Sequence, residues 1–135
     1  MMAALYMLDT DTCAFVMRGP SENLRAKLLA TPLEQQAISV VTLAELLFGI
    51  KLSSQGKRNQ VALDAFIKHL TVLDWTEEEA EHYADIRAVL HKSGQMIGSN
   101  DLLIAAHARC VGAIVVTNNE REFRRVPKLK VENWL

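Results

Sequence analysis

The feature that most constrains this chain is a short apolar run that ends in a carboxylate. Residues 5–8 are consecutive apolar residues, and Asp9 follows them directly. Since apolar and polar positions do not alternate, the run predicts a β-strand buried on both faces, as in a parallel sheet. Asp9 would then lie at the carboxyl end of a central strand, where open α/β sheets place their ligands. Thr10 or Asp11 can cap the helix that begins after the turn.

The composition is that of a globular protein with one domain, which we place over residues 1–135. Half of the residues are hydrophobic and 23% are charged, which excludes a disordered chain. No apolar run approaches the length of a membrane span, and the N-terminus lacks the pattern of a signal peptide. Cys13 and Cys110 are far apart and lack metal-ligand spacing, so we expect free thiols and a reducing compartment, the cytoplasm. The net charge of −1 neither indicates nor excludes a nucleic-acid partner, because residues 74–85 are acidic and residues 121–130 are mostly basic.

The rest of the chain alternates β-type and helical patterns. We expect helices at 10–18 and 22–30, a strand at 37–41, a helix entered directly from that strand, and a helix over 59–70. After these we expect a strand at 71–75, a long helix that ends near Gly94, and a buried helix over 102–109. The last elements are a strand at 113–117 and an edge strand within 129–134. This alternation predicts a three-layer α/β/α domain with a central, mostly parallel sheet of four or five strands.

Three carboxylates have corresponding places in this pattern. Asp9 ends the first strand, Glu45 lies one turn into the helix after the second strand, and Asp101 begins the helix before the fourth strand. Right-handed crossovers bring such connections to one edge of a parallel sheet. Three acids without a basic residue in the same motifs are costly unless a cation neutralises them, and hard oxygen ligands suit Mg²⁺ or Mn²⁺. Such a site can activate water and stabilise charge on a phosphodiester.

Each acid also has a purely structural interpretation. Asp9 and Asp101 could be ordinary N-caps, since Asp is among the best capping residues. Thr42-x-x-Glu45 fits a capping box, and Asp11 could be only a cap. The functional interpretation therefore depends on the three acids acting together. The histidines have no partner at ligand spacing, so we expect none to be catalytic (His69, His82, His91 and His107).

Four segments carry a family resemblance. They are Leu8–Asp11, Ser39–Gly49, Ile97–Ala108 and Val115–Val126. In this order they resemble the motifs of the PIN-domain ribonucleases, and in particular those of the VapC toxins of bacterial type II toxin–antitoxin pairs. The resemblance extends over nearly the whole chain and implies a PIN-like fold.

The resemblance implies that Asp9, Glu45 and Asp101 are the catalytic acids that hold Mg²⁺ or Mn²⁺. Many family members have a fourth acid two residues after the threonine that ends the fourth strand, where this chain has Asn119. An amide can accept through its carbonyl or hold a water, but it brings no charge, so one or two metal ions remain possible. With Asn119, the candidates for groups that orient ligands or water are Thr10, Asp11 and Thr117.

The resemblance also implies a homodimer, inhibition by a VapB-type antitoxin, and an RNA substrate that is structured, usually a tRNA. Any contact with DNA would be made through the antitoxin. The Gly-x-Asn-Asp and Thr-Asn-Asn patterns are similar to those of enzymes that cut the anticodon stem-loop of initiator tRNA. The candidate phosphate contacts are Arg87, Lys92, Arg121, Arg124, Arg125 and Lys128. Apolar residues on the early helices are expected either in the core or in a groove for an antitoxin helix (Met17, Leu46, Leu47, Phe48 and Ile50).

Two other functions are compatible with parts of the pattern. Residues 9–12 also resemble the nucleophile motif of haloacid-dehalogenase-type phosphatases, with Asp9 phosphorylated, Asp11 as acid–base, Thr117 in the second motif and Lys128 as the family's lysine. That interpretation lacks a later acidic pair for Mg²⁺ and leaves Glu45 and Asp101 unexplained. The other alternative is a non-catalytic PIN fold that only binds RNA or protein, which the missing fourth acid favours.

Overall fold

The computed structural model describes residues 3–135, so the first two residues of the predicted domain lie outside the described part. The strands are β1 (Tyr6–Leu8), β2 (Gln36–Ser39), β3 (Thr71–Leu73), β4 (Ile114–Val116) and β5 (Lys130–Glu132). The helices are α1 (Thr10–Arg18), α2 (Glu22–Ala30), α3 (Val40–Leu52), α4 (Gly56–Ile67), α5 (Glu77–Ser93), α6 (Ser99–Val111) and α7 (Glu120–Phe123), with a 3-10 turn at Leu33–Gln35.

The five strands form one sheet in the order β3-β2-β1-β4-β5, and every neighbouring pair is parallel. β1 is therefore the central strand, with β2 on one side and β4 on the other. This confirms the predicted parallel sheet and the central position of the first apolar run. Chain order reverses direction across β1, which makes its carboxyl end a place where open α/β sheets bind ligands.

The core lies on both faces of the sheet. Met7 belongs to a cluster that includes residues of α5 and α6, while Leu8 belongs to a second cluster with residues of α1, α3 and α4. Successive side chains of a strand point to opposite faces, so one apolar run serves both clusters. Met7 and Leu8 are fully buried, as the absence of alternation predicted.

Several predicted element boundaries were wrong. β2 ends at Ser39, and α3 begins at Val40, because the Ser39 side chain accepts from Val41 N–H and caps the helix. α4 begins at Gly56, earlier than expected. α6 begins at Ser99, which places Asp101 inside its first turn. Among the helices of residues 3–135, none has both the length and the apolar character of a membrane crossing.

Candidate active site

Asp9 is held in place by both of its carboxylate oxygens. It follows β1 and is the N-cap of α1: Thr12 N–H donates to Oδ1 at 2.9 Å. Thr117, which follows β4, donates its hydroxyl to Oδ2 at 2.6 Å. Burial raises the pKa of Asp9 above its ordinary value, while the hydrogen bonds from Thr117 and Thr12 act in the opposite direction. The capping interpretation is thus confirmed, and the carboxylate is also buried beside the neighbouring strand.

Asp101 lies close enough to Asp9 for the two charges to interact. Burial, followed by the charge of Asp9, raises the pKa of Asp101 to about 6. Asn119 Nδ2 donates to Asp101 Oδ2 at 3.2 Å, which partly offsets these effects. Gly98, not Asp101, is the N-cap of α6, so the capping interpretation of Asp101 is wrong. Two like charges are therefore held together in a poorly solvated place, and neutralisation by a cation would be favourable.

Glu45 lies beside this pair and is connected to it through neighbouring residues. Thr10 donates its hydroxyl to Glu45 Oε1 at 2.6 Å, and Asn100 Nδ2 donates to Oε2 at 2.9 Å. Thr10 directly follows Asp9 in the chain, and Asn100 directly precedes Asp101. Ser39 caps α3, so the predicted capping box of Thr42 and Glu45 is wrong, and the Glu45 side chain is turned toward Thr10 instead.

Within residues 3–135, no three Asp, Glu, His or Cys side chains are gathered as a ready-made metal cluster. The donor chemistry nevertheless fits Mg²⁺ or Mn²⁺, because such ions are commonly held by one or two carboxylates together with waters. Asp9 and Asp101 supply that pair. No lysine or arginine in the described part of the chain forms an ion pair with either of them. The predicted metal-ligand roles of Asp9, Glu45 and Asp101 stay predictions.

Glu122 is an acid that the sequence analysis missed. It lies one turn after Asn119 in α7 and contacts the Asn119 amide, which in turn contacts Asp101. The charge of Glu122 also contributes to the raised pKa of Asp101. The charge absent from position 119 is thus present three residues later. The signal in the sequence was the helical spacing of Asn119 and Glu122, since residues three apart share a helix face.

Thr117 and Thr10 have the contacts expected of orienting groups. Thr117 donates to Asp9 and also accepts from Asn119 N–H at 2.8 Å, so it holds two parts of the site at once. Asp11 is exposed and does not cap α1, which Asp9 does, but its charge raises the pKa of both Asp9 and Asp101. Asp11 is therefore near the site without a hydrogen bond to it.

The candidate phosphate contacts differ in their surroundings. Arg125 donates to the carbonyl of Met96, and Arg87 donates to the hydroxyl of Tyr83. Arg124 makes a long contact of 3.4 Å with the carbonyl of Val131. Lys128 lies near Asp85, in the vicinity of the Asp85–Arg109 ion pair. Among the six candidate phosphate contacts, Arg121 and Lys92 are exposed and have no described contact.

Position also argues against Lys128 as a phosphatase lysine. Asp85 pairs with Arg109, which lies eight residues after Asp101 in α6, about 12 Å along the helix. Lys128, near Asp85, is therefore beside the other end of α6.

The fold and site thus comprise a five-stranded parallel α/β sheet, with Asp9 at the carboxyl end of the central strand and Asp101 within range of its charge. The PIN domain profile matches residues 6–129, a range that includes every acid described above. The chain belongs to the PIN-domain family.

Within that family, the similarity is to VapC ribonucleases. The chain is 40% identical over 129 residues to the tRNA(fMet)-specific endonuclease VapC of Salmonella typhimurium, covering 96% of this chain and 97% of that protein. It is 42% identical over 130 residues to ribonuclease VapC2 of Haemophilus influenzae, covering 96% and 98%. In the crystal structure of DNA-bound VapBC from Salmonella typhimurium, one chain matches with a TM-score of 0.93 and 38% identity, over 98% of this chain and 100% of that chain.

Proposed function

We propose that this chain is a Mg²⁺- or Mn²⁺-dependent endoribonuclease and the toxin of a type II toxin–antitoxin pair. The observation that carries the proposal is that buried Asp9 disfavours the charge of half-buried Asp101, while no Lys or Arg among residues 3–135 forms an ion pair with either acid. Such an arrangement is unfavourable for folding and favourable for binding a divalent ion. The similarity to named VapC ribonucleases gives the reaction class, hydrolysis of RNA phosphodiester bonds.

Asp9 and Asp101 would hold the cation, with Glu45 and Glu122 as further acids of the site. When bound, the cation supplies an acidified water and positive charge for the phosphodiester transition state. The protein's own contribution is orientation. Thr117 fixes Asp9, Asn119 fixes Asp101, and hydrogen bonds to both oxygens fix Glu45. Mutation of groups that orient metal ligands in this way commonly lowers metal affinity or activity by about 10–100-fold.

The proposed substrate is structured RNA, and within it a tRNA such as the initiator tRNA anticodon stem-loop. A relative at 40% identity carries the name tRNA(fMet)-specific endonuclease. Arg121 is the most suitable phosphate contact, because it is exposed and adjacent to Glu122 in α7. A phosphate bound there would lie next to the acids, as cleavage requires.

The proposed partners are a VapB-type antitoxin and a second copy of this chain, in the cytoplasm. Met17, Leu46 and Ile50 line an open groove of about 370 Å³ between α1, α3 and α4. Phe48 is 64% exposed on the same helix but does not line the groove. An antitoxin helix with an apolar stripe would fill such a groove. The antitoxin would make any contact with DNA, in line with the VapBC–DNA structures of relatives.

The proposal is tested by incubating the purified chain with initiator tRNA and sequencing the RNA ends. Cleavage at one position with Mn²⁺ is expected, with loss of cleavage in the Asp101→Asn and Glu122→Gln variants. Asp64→Asn is the matched control, since Asp64 is an exposed carboxylate on α4. Metal-independent cleavage, or full activity of the Asp101 variant, would contradict the assigned chemistry.

A non-catalytic PIN fold is the alternative that the amide at position 119 favours. Mn²⁺ binding to the wild type and to Asp9→Asn separates the two functions. The nuclease interpretation predicts binding that the substitution weakens. Absence of binding in both proteins would support the binding module.

A further inference from the structure

Three polar side chains are buried together in the core, away from the proposed site. Ser39 ends β2, Glu79 lies in the first turn of α5, and His107 lies in α6. Ser39 and His107 are fully buried, and Glu79 is 3% exposed. Burying polar groups costs free energy unless they are hydrogen-bonded, so this trio needs a structural or functional reason.

The His107 ring lies between the other two members. Its Nδ1 is 2.7 Å from Ser39 Oγ, and its Nε2 is 3.6 Å from Glu79 Oε1, which is longer than a hydrogen bond. Nε2 has no hydrogen-bond partner of normal geometry within the part of the chain that is described, and the backbone and charge of Asp74 also act on the ring, opposing the lowering of its pKa. Burial lowers the pKa of His107, so the ring is neutral at neutral pH. Its short contact with Ser39 is therefore the stronger of the two.

The contacts of Ser39 favour one direction for this network. Ser39 Oγ accepts from Val41 N–H at 3.0 Å, as the N-cap of α3. If its hydroxyl then donates to His107 Nδ1, the ring proton lies on Nε2 and faces Glu79. The order Ser–His–Glu is that of a hydrolase triad, but no substrate can reach side chains that are this deeply buried.

The network connects the helices that carry two of the three predicted metal ligands, Glu45 in α3 and Asp101 in α6. Glu45 is six residues after Ser39, and Asp101 is six residues before His107, about 9 Å along each helix. At the site itself, α3 and α6 are connected by Asn100 and Glu45, and the Asn100 contact is exposed to solvent. The Ser39–His107 hydrogen bond is the buried counterpart of that contact.

We propose that His107 is a positioning residue that, through Ser39, fixes the α3 helix relative to the α6 helix and so sets Glu45 against Asp101. This inference rests on the proposed function. Glu79 lies on the other side of the ring, 3.6 Å from Nε2, and is itself fixed by the capping box with Thr76 at the start of α5. Loss of the Ser39–His107 contact should loosen the cation site without removing a group that reacts.

Two substitutions of the same residue separate positioning from packing. The amide of His107→Asn reaches the place of Nδ1 and can keep the contact with Ser39. The amide of His107→Gln reaches the place of Nε2 and keeps only the side facing Glu79. Binding of Mn²⁺ alone, followed by the electron paramagnetic resonance of the free ion, is the readout. His107→Asn should bind within about threefold of the wild type, and His107→Gln at least about tenfold more weakly.

Ser39→Ala provides a second variant in case substitution of His107 prevents folding. It should also weaken Mn²⁺ binding by about tenfold or more. Its control is Ser21→Ala, which removes the N-cap of α2 without touching the network. In RNA cleavage, the His107→Gln and Ser39→Ala defects should appear in kcat at low Mn²⁺ and disappear with excess Mn²⁺, with KM unchanged.

Equal Mn²⁺ affinity in wild type, His107→Gln and Ser39→Ala would overturn the inference, whatever the variants lose in stability. The same holds if His107→Asn and His107→Gln are impaired equally, because the loss would then follow packing alone. If the wild type cleaves RNA but these results are obtained, the proposed function stands and only the positioning role fails. If the wild type neither binds Mn²⁺ nor cleaves RNA, both fail.

Discussion

Replacing Asp101 by asparagine should make the metal-free protein more stable. The charge of Asp101 is disfavoured by burial and by Asp9, which together raise its pKa from the ordinary value of 3.8 to about 6. At roughly 1.4 kcal/mol for each pKa unit, this difference sets an upper limit of about 3 kcal/mol. Asp101 is only partly buried, so solvent reduces the effect, and we expect a gain of about 1–2 kcal/mol. Asparagine can still accept the hydrogen bond from Asn119.

The sign of the pH dependence follows from the same values. Because the pKa of Asp101 is higher in the folded than in the unfolded state, its ionisation destabilises the fold as pH rises through about 6. The gain from Asp101→Asn should therefore be largest near pH 8 and vanish below about pH 4. Magnesium should reverse the order at neutral pH, since it stabilises the wild type more than the variant.

Urea unfolding in EDTA at several pH values is the assay. Asp64→Asn is the control, because substitutions of exposed side chains usually change stability by less than about 0.5 kcal/mol. A loss of stability in Asp101→Asn near pH 8 would refute the reasoning. So would a gain of the same size at both ends of the pH range, since it would not come from the charge of Asp101.

Four other outcomes are expected. Asp9→Asn, Glu45→Gln and Asp101→Asn should each abolish growth arrest in cells while leaving a folded dimer by size-exclusion chromatography; wild-type toxicity of any one would remove that residue from the site. Asn119→Asp should keep activity or tighten Mn²⁺ binding by calorimetry, while lowering stability in EDTA because it adds a charge beside Asp101; a large loss of metal affinity would show that the amide has another role. Thr117→Val should cost about 1–3 kcal/mol in urea unfolding, because buried partners lose its hydroxyl; an unchanged stability would contradict the geometry. EDTA should stop RNA cleavage and Mg²⁺ or Mn²⁺ should restore it; cleavage that persists in EDTA would exclude the metal-dependent reaction.

The central strand and Asp9 could be predicted because their cause is local. A strand buried on both faces must be apolar at successive positions, and Leu8 and Asp9 mark where that requirement ends. The parallel order followed from the alternation of strands and helices. The position of the central strand and the parallel order of the sheet each depend on short sequence patterns, so both can be predicted from one sequence.

The contacts of Glu45 could not be predicted from local sequence patterns. Its capping-box interpretation failed because Ser39 caps α3, and the buried Ser39 contacts His107, which is 68 residues distant in the chain. The resemblance indicated an acid at position 45, but its contacts with Thr10 and Asn100 come from packing. Tertiary contacts of this kind leave no periodic signal.

The absence of an acid at position 119 was visible, but its compensation was overlooked. Glu122 lies three residues later, and the short helix α7 brings it to the Asn119 amide. The basic residues were harder, because the partner of Arg125 is the carbonyl of Met96, 29 residues away in the chain, although the four-residue spacing of Tyr83 and Arg87 on α5 was visible. A charged residue in a basic segment therefore predicts a phosphate contact only when its tertiary partners are known.

The most direct test is a crystal of this chain soaked in Mn²⁺ and measured at the manganese absorption edge. An anomalous peak between the carboxylates of Asp9 and Asp101, at metal–oxygen distances of about 2.1–2.2 Å, is the predicted result. A peak only at another acidic surface, such as that of Glu78 and Asp85, or no peak at saturating Mn²⁺, would contradict the claim that these acids form a divalent-cation site.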